Sequence, residues 1–345
     1  MSDLKLDRRD FLKVGGASAL SAPILGATGL EAASPAGSPG AQDAASPSQA
    51  SAKKFPQLAI ITPYSPQNLA FAASAQYQGV VVPLADDFNP KISDSAIDKI
   101  LEAARNANVR IISIECMWGF NHIDADPAKR REAQEGFIRC LEFGHRLGCK
   151  FVGTFSGGMP GASEDDQAKA LADVVNEKYM PVLEKLDLGT GWENFPTETN
   201  FAITPGIWKK VFDRVPSHRL GLEFDPSHLV RQYVDPIKAA WDFRDRMLAV
   251  HLKDTEIIQP VLQQVGILGK GWWRYRIPGQ GLIDWPAFFT CLLQVGFNGG
   301  MAVEHEDEFW DQPHTPQVPE QCQARKDGFI EASRFLRMYM PGRMA

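Results

Sequence analysis

From residue 58 onward, short apolar runs alternate with amphipathic stretches, and few folds accommodate that pattern. Runs at 58–62, 79–84, 109–115, 151–155, 188–193, 220–225, 248–252 and 301–304 have the length and character of buried strands. Between them, 94–106 carries Ile97, Ile100 and Leu101 at helical spacing, and 127–146 carries Phe137, Ile138, Leu141 and Phe143. Further helical patterns cover 165–186, 205–214, 236–245, 285–295 and 321–339. Pro127, Pro205, Pro236 and Pro286 stand at or near first helical turns, where a missing N–H leaves no bond unmade. Eight strands alternating with helices predict an α/β fold of the (β/α)8 TIM barrel type. An open doubly wound sheet is the alternative, but no Gly-x-Gly-x-x-Gly follows the first strand.

The predicted barrel occupies 55–345. Ahead of it, Asp7-Arg8-Arg9-Asp10-Phe11-Leu12-Lys13 and a weakly hydrophobic stretch to Leu30 read as a twin-arginine export signal over 1–30. That stretch is too weakly apolar for a stable membrane span. Residues 31–54 are rich in Ala, Ser and Pro and cannot bury a core, so they are expected to be a disordered linker. The expected location is the periplasm, with the signal either cleaved or kept as an anchor. The net charge of −6 falls on the barrel, since the leader charges cancel, and it argues against nucleic acid as a partner. Five cysteines without a CxxC pair point to buried thiols rather than a disulfide framework.

Four of the late runs end on metal-binding side chains: Glu193, Asp225, His251 and Glu304. The first two spacings match one strand-plus-helix unit of about 30 residues, and the last is a unit with an insertion. One such side chain at the C-terminal tip of successive barrel strands is how a parallel barrel assembles a metal site. Charges gathered at a buried rim need a cation to neutralise them. Three carboxylates and one imidazole suit one divalent ion, Mn²⁺ first, with Mg²⁺, Co²⁺ and Zn²⁺ as alternatives. Two irregularities stand out. The run 188–193 is a poor strand by propensity because of Gly189 and Gly191. The long stretch from Asp254 to Asp284, with its adjacent Trp272 and Trp273, reads as a lid or binding loop.

The segments Glu193-Asn194-Phe195-Pro196, Asp225-Pro226-Ser227-His228-Leu229, His251-Leu252-Lys253-Asp254 and Glu304-His305-Glu306-Asp307 resemble the xylose isomerase-like TIM barrel superfamily, the sugar phosphate isomerases/epimerases. The resemblance runs from Leu58 to about Met340. It takes in the loop Gly266–Arg276 and Gly279-Gln280-Gly281-Leu282-Ile283-Asp284-Trp285. It implies metal ligation by Glu193, Asp225, His251 and Glu304, and substrate contact by His228. Thr199, beside Glu198, stands where the ketose epimerases of this superfamily carry a further Glu. Ile257 stands where they carry an Arg, a place Arg274 or Arg276 is expected to take.

The implied activity is that of a divalent-metal-dependent sugar isomerase or epimerase that abstracts a proton next to a carbonyl. Glu193 and Glu304 would act as base and acid, and His228 and Lys253 would hold substrate oxygens. Trp118, Trp272 and Trp273 would offer faces to a sugar ring. The expected partner is a small sugar or keto-sugar, and barrels of this superfamily often pair as homo-oligomers. Two alternatives share the site: a metal-dependent lyase eliminating from 3-keto-glycosides, and a non-catalytic sugar-binding protein. DNA repair on the same fold fits poorly with seven histidines and an acidic barrel.

Overall fold

The computed structural model describes residues 56–310 and 322–340. The predicted export signal and linker, and the first residue of the helix expected from 321, lie outside them. The strands come in the expected order: β1 (Gln57–Ile61), β2 (Gly79–Pro83), β3 (Arg110–Cys116), β4 (Phe151–Thr154), β5 (Gly189–Glu193), β6 (Leu220–Phe224) and β7 (Met247–Leu252). A short pair follows, β8 (Asp254–Ile257) and β9 (Trp273–Arg276), before the last barrel strand, β10 (Gly300–Val303). All barrel pairings are parallel, and β10 returns to β1 through Leu58↔Met301 and Ile60↔Val303, closing an eight-stranded barrel. The predicted (β/α)8 fold is therefore the one observed.

Local chemistry explains most helix starts. Ser93 accepts from the Ala96 amide to open α2 (Asp94–Asn106), and Asp126 accepts from Ala128 and Lys129 to open α3 (Pro127–Arg146). Helix α1 (Pro66–Ser74) was not foreseen. It is short and Ala-rich, with Ser65 as its cap. The helix expected over 165–186 is interrupted. It comprises α4 (Glu164–Val174), a π-helical turn at Val175–Tyr179 and α5 (Met180–Leu186). Pro181 has no N–H to donate back into the preceding turn, which accounts for the change of register.

The weak strand is fully integrated. Strand β5 pairs with β4 through Gly153↔Gly191 and with β6 through Gly191↔Gly221. A Cβ at Gly191 would lie 2.4 Å from the Gly221 carbonyl oxygen, so the glycine that lowers propensity is what lets the strands approach. Packing on both sides overrides propensity. Trp192, on the outer face, is buried and stacked on Phe212 at 5.5 Å. The long stretch after β7 is likewise no irregular loop. Strands β8 and β9 form an antiparallel hairpin, with α9 (Gln259–Val265) carried between them. All five cysteines are buried and free. Among the described residues no helix is long and apolar enough to cross a membrane.

Candidate metal centre and active site

Glu193 is the last residue of β5, Asp225 follows β6, His251 lies near the end of β7 and Glu304 follows β10. Barrel closure brings these four C-terminal ends together. Glu193, Asp225, His251 and Glu304 each offer a ligand atom, and all four atoms lie within 4.8 Å of one another. His251 Nδ1 sits 3.1 Å from Glu193 Oε1 and 3.2 Å from Glu304 Oε2. Asp225 uses Oδ1 to cap α7 (Pro226–Val230) through the Ser227 amide at 2.7 Å. Its Oδ2 is buried with no well-directed hydrogen bond, although Lys253 Nζ is 3.2 Å away. A cluster of oxygen donors, one imidazole and an orphaned carboxylate oxygen fits a hard divalent cation.

The electrostatics are those of a site with surplus negative charge. Burial, reinforced by the Glu304 charge, pushes the Glu193 carboxyl up to about 8. Glu304 goes the other way. Burial would raise it, but Lys253 and His251 outweigh that and hold it well below the usual carboxylate range. Lys253 is fully buried and places Nζ 2.7 Å from both Glu304 Oε2 and Glu306 Oε2. Burial and the Lys253 charge hold His228 well below its ordinary value, so it is neutral. Its Nδ1 meets the Tyr275 hydroxyl at 2.7 Å and its Nε2 meets Glu193 Oε1 at 3.0 Å. The consistent tautomer carries its proton on Nε2, donating to Glu193, while Tyr275 donates to Nδ1.

Beneath the four lies a second pair that sequence reasoning missed. Glu223 Oε1 and Glu115 Oε1 stand 3.2 Å and 3.3 Å from His251 Nε2. Both carboxylates are buried, and burial pushes Glu115 up to about 7. Their signal was visible as a charged residue inside an apolar strand run. Glu223 lies two positions before Asp225 and so faces the same side of β6. Carboxylates on the far nitrogen of a ligand histidine fix its orientation.

A cavity of about 340 Å³ opens above Glu193, His251 and Glu304, walled by Phe155, Phe195 and Trp118 and reached by Glu306 and Arg325. Trp118 is on the rim, 69% exposed, edge-on to Phe155 at 5.1 Å. His228 and Lys253 are buried against the cluster behind it. Arg274 and Arg276 correct the expectation. Arg274 pairs with Glu256, and Arg276 pairs with Glu256 and Asp307, so neither guanidinium lines the cavity. Trp272 also stays out of it, buried and stacked on Tyr233 at 5.9 Å. Trp273 packs under Arg231, whose guanidinium lies 4.3 Å from its ring. From this hairpin the residue that reaches the site is Tyr275. The conspicuous Gly279–Trp285 segment wraps Asp254, whose carboxylate accepts from Gly279, Ile283 and the Trp285 indole.

Fold and site together define a closed (β/α)8 barrel whose strand ends gather carboxylates and an imidazole that could hold a metal ion. The family model for the xylose isomerase-like TIM barrel matches residues 69–338, and the chain belongs to that family. Among curated proteins it is similar to an inosose dehydratase of Clostridium beijerinckii, 24% identical over 225 residues covering 58% of this chain and 72% of that protein. Among solved structures it resembles a D-psicose 3-epimerase (TM-score 0.62, 14% identity, 83% of this chain and 100% of that chain). It also resembles a 3-keto-D-glucoside 4-epimerase from E. coli (TM-score 0.61, 16% identity, 82% and 99%). At these identities the structural likenesses show a shared fold.

Proposed function

We propose that this chain is a divalent-metal-dependent isomerase or epimerase that removes the proton next to the carbonyl of a keto-sugar, with Mn²⁺ the ion its donor set suits first. The observation that carries this reading is the convergence of ligand atoms from Glu193, Asp225, His251 and Glu304 within 4.8 Å, with Glu193, His251 and Glu304 on the floor of an open cavity. A bound divalent ion would supply Lewis-acid polarisation of the carbonyl and its neighbouring hydroxyl.

The protein's own residues divide the remaining work. Glu304, kept ionised by Lys253, is the carboxylate that accepts the proton, and Glu193, the second carboxyl on the cavity floor, is placed to return one. Lys253 and neutral His228, buried behind the cluster, hold Glu304 and Glu193 in position, with Tyr275 fixing the imidazole. Phe155, Phe195 and Trp118 restrict water at the reacting carbon. The twin-arginine leader supports a reaction carried out in the periplasm.

Elimination is the second reading. It is favoured by the similarity to inosose dehydratases and by Glu306, a further carboxyl beside Lys253 placed to protonate a departing oxygen. The test is incubation of metal-loaded protein in D₂O with free keto-sugars and 3-keto-glycosides. Deuterium at the carbon next to the carbonyl, with an isomer or epimer as product, is expected. An unsaturated sugar with released leaving group would select elimination. Exchange on no substrate, or full exchange by a Glu304→Gln variant that still binds metal, would overturn the proposal.

A further inference from the structure

The cavity over the metal cluster does not end at Trp118. Leu84, Met117, Trp118 and Phe155 are walls that it shares with an open groove of about 850 Å³ running outward along the N-terminal half of α3. The inner space lies at the lower end of the range for small-molecule sites, roughly 300–1,000 Å³, and the groove lies near its upper end. The two together exceed what one sugar ring fills. Trp118 stands at their junction on a loop after β3, with most of its surface in solvent and its edge braced by Phe155 and Phe195. A large indole held exposed at the mouth of a polar site is unlike the other tryptophans: Trp192, Trp208, Trp272 and Trp285 are buried, and Trp241, Trp273 and Trp310 are half-buried.

The groove's charge narrows what it can take. Its lining carries Asp86, Asp124 and Glu132 against Lys91, Lys129 and Arg139, three of each sign. A balanced rim gives no net attraction for a phosphate or a carboxylate, and its side chains suit a neutral, hydroxyl-rich group. One aromatic plate with polar walls on both sides is the arrangement that a sugar ring uses: apolar C–H face on the ring, hydroxyls to the sides. A flat aromatic substituent would leave those charged walls facing apolar surface.

We propose that this groove is a second sugar subsite, so that the substrate is a keto-glycoside of at least two rings: an oxidised ring over Glu193 and Glu304, and a neutral sugar ring linked to it lying against Trp118. This rests on the reading of the inner cavity as a keto-sugar site and names the substrate class that site serves. The inner ring binds through the cluster, and the outer ring adds affinity without touching the reacting carbon.

The test separates the two readings. Metal-loaded full-length protein is titrated with maltose and cellobiose and with the corresponding methyl glucosides, followed by tryptophan fluorescence and saturation-transfer NMR. One of the disaccharides is expected to bind at least about fivefold more tightly than its methyl glucoside, the scale of one good ring-stacking contact. The ratio, rather than either affinity, is the readout, so a partial loss of folded protein cancels. It should fall towards one in Trp118→Ala. It should also fall in Gly136→Trp, which fills the groove from α3 where a Cβ already comes within 3.0 Å of Phe120. Equal affinity for both ligand sizes in the wild-type protein, including none detectable, would overturn the subsite, as would a ratio that survives both substitutions. Deuterium exchange on a methyl 3-keto-glucoside is measured in parallel. Its absence alongside a clear disaccharide preference would remove the catalytic reading and leave the subsite standing.

Discussion

Replacing Lys253 by Met should weaken the metal-free protein and spare the metal-loaded one, because the ammonium and a divalent ion neutralise the same carboxylates. Lys253 Nζ is fully buried, 2.7 Å from Glu304 and Glu306 and 3.2 Å from Asp225. Removing one partner of a buried ion pair costs about 3–5 kcal/mol, since the remaining charges are left without compensation. For a barrel of roughly 290 residues the unfolding entropy is about 0.6 kcal/mol per degree, so the expected fall in Tm is about 5–8 °C. At saturating metal the loss shrinks only by RT ln of the ratio of the two affinities, so binding about a hundredfold tighter in the variant would recover about 2.7 kcal/mol, roughly half of the loss or more. Affinity for the metal should at the same time rise, because no ammonium competes for the oxygens of Glu304 and Asp225. The assay is thermal unfolding of both proteins with chelator and with saturating Mn²⁺, together with titration calorimetry. A loss of under 1 kcal/mol in chelator, or an equal loss with and without metal, would refute the reasoning.

Metal affinity should climb between about pH 6 and pH 8, because Glu193, pushed up to about 8, must give up its proton to bind the ion. Glu115, pushed up to about 7 against the far nitrogen of His251, ionises over the same range. The sign for the metal-free protein is the reverse: raised carboxyls favour the fold fully below their unfolded values, and that support is lost as pH rises through 7 and 8. Calorimetry in buffers of different ionisation enthalpy reads the proton release, and a pH-independent affinity would contradict it. Glu223→Gln should cost about 10–100-fold in metal affinity through His251, and an unchanged value would reduce Glu223 to packing. Gly153→Ala should destabilise by about 1–3 kcal/mol in urea unfolding, since its Cβ would stand 2.0 Å from Glu223 Oε2; a variant as stable as wild type would show that the carboxylate relocates freely.

The four clustered positions were legible because each stands at or near the end of an apolar run, and a parallel barrel presents all its strand ends on one face. Glu193 looked insecure only because propensity treats Gly189 and Gly191 as weaknesses, whereas contact with both neighbouring strands makes Gly191 a requirement. Arg325 could not be read from the sequence, because α11 (Gln323–Arg337) reaches the cavity only through the closure of the barrel.

The hairpin shows most clearly where local reasoning stops. Side chains alternate along a strand, so within β9 the pair Trp273 and Tyr275 faces one way and Arg274 and Arg276 the other. Choosing either arginine as a substrate contact therefore chose the face opposite Tyr275. What sets the face is the register Thr255↔Tyr275 and Glu256↔Arg274, which joins both arginines to Glu256 on one side and turns Tyr275 towards His228 on the other. That register is held by Asp254, bonded to Gly279, Ile283 and Trp285 far along the chain. A motif whose own residues never touch the cavity thus decides which side chain of another motif does.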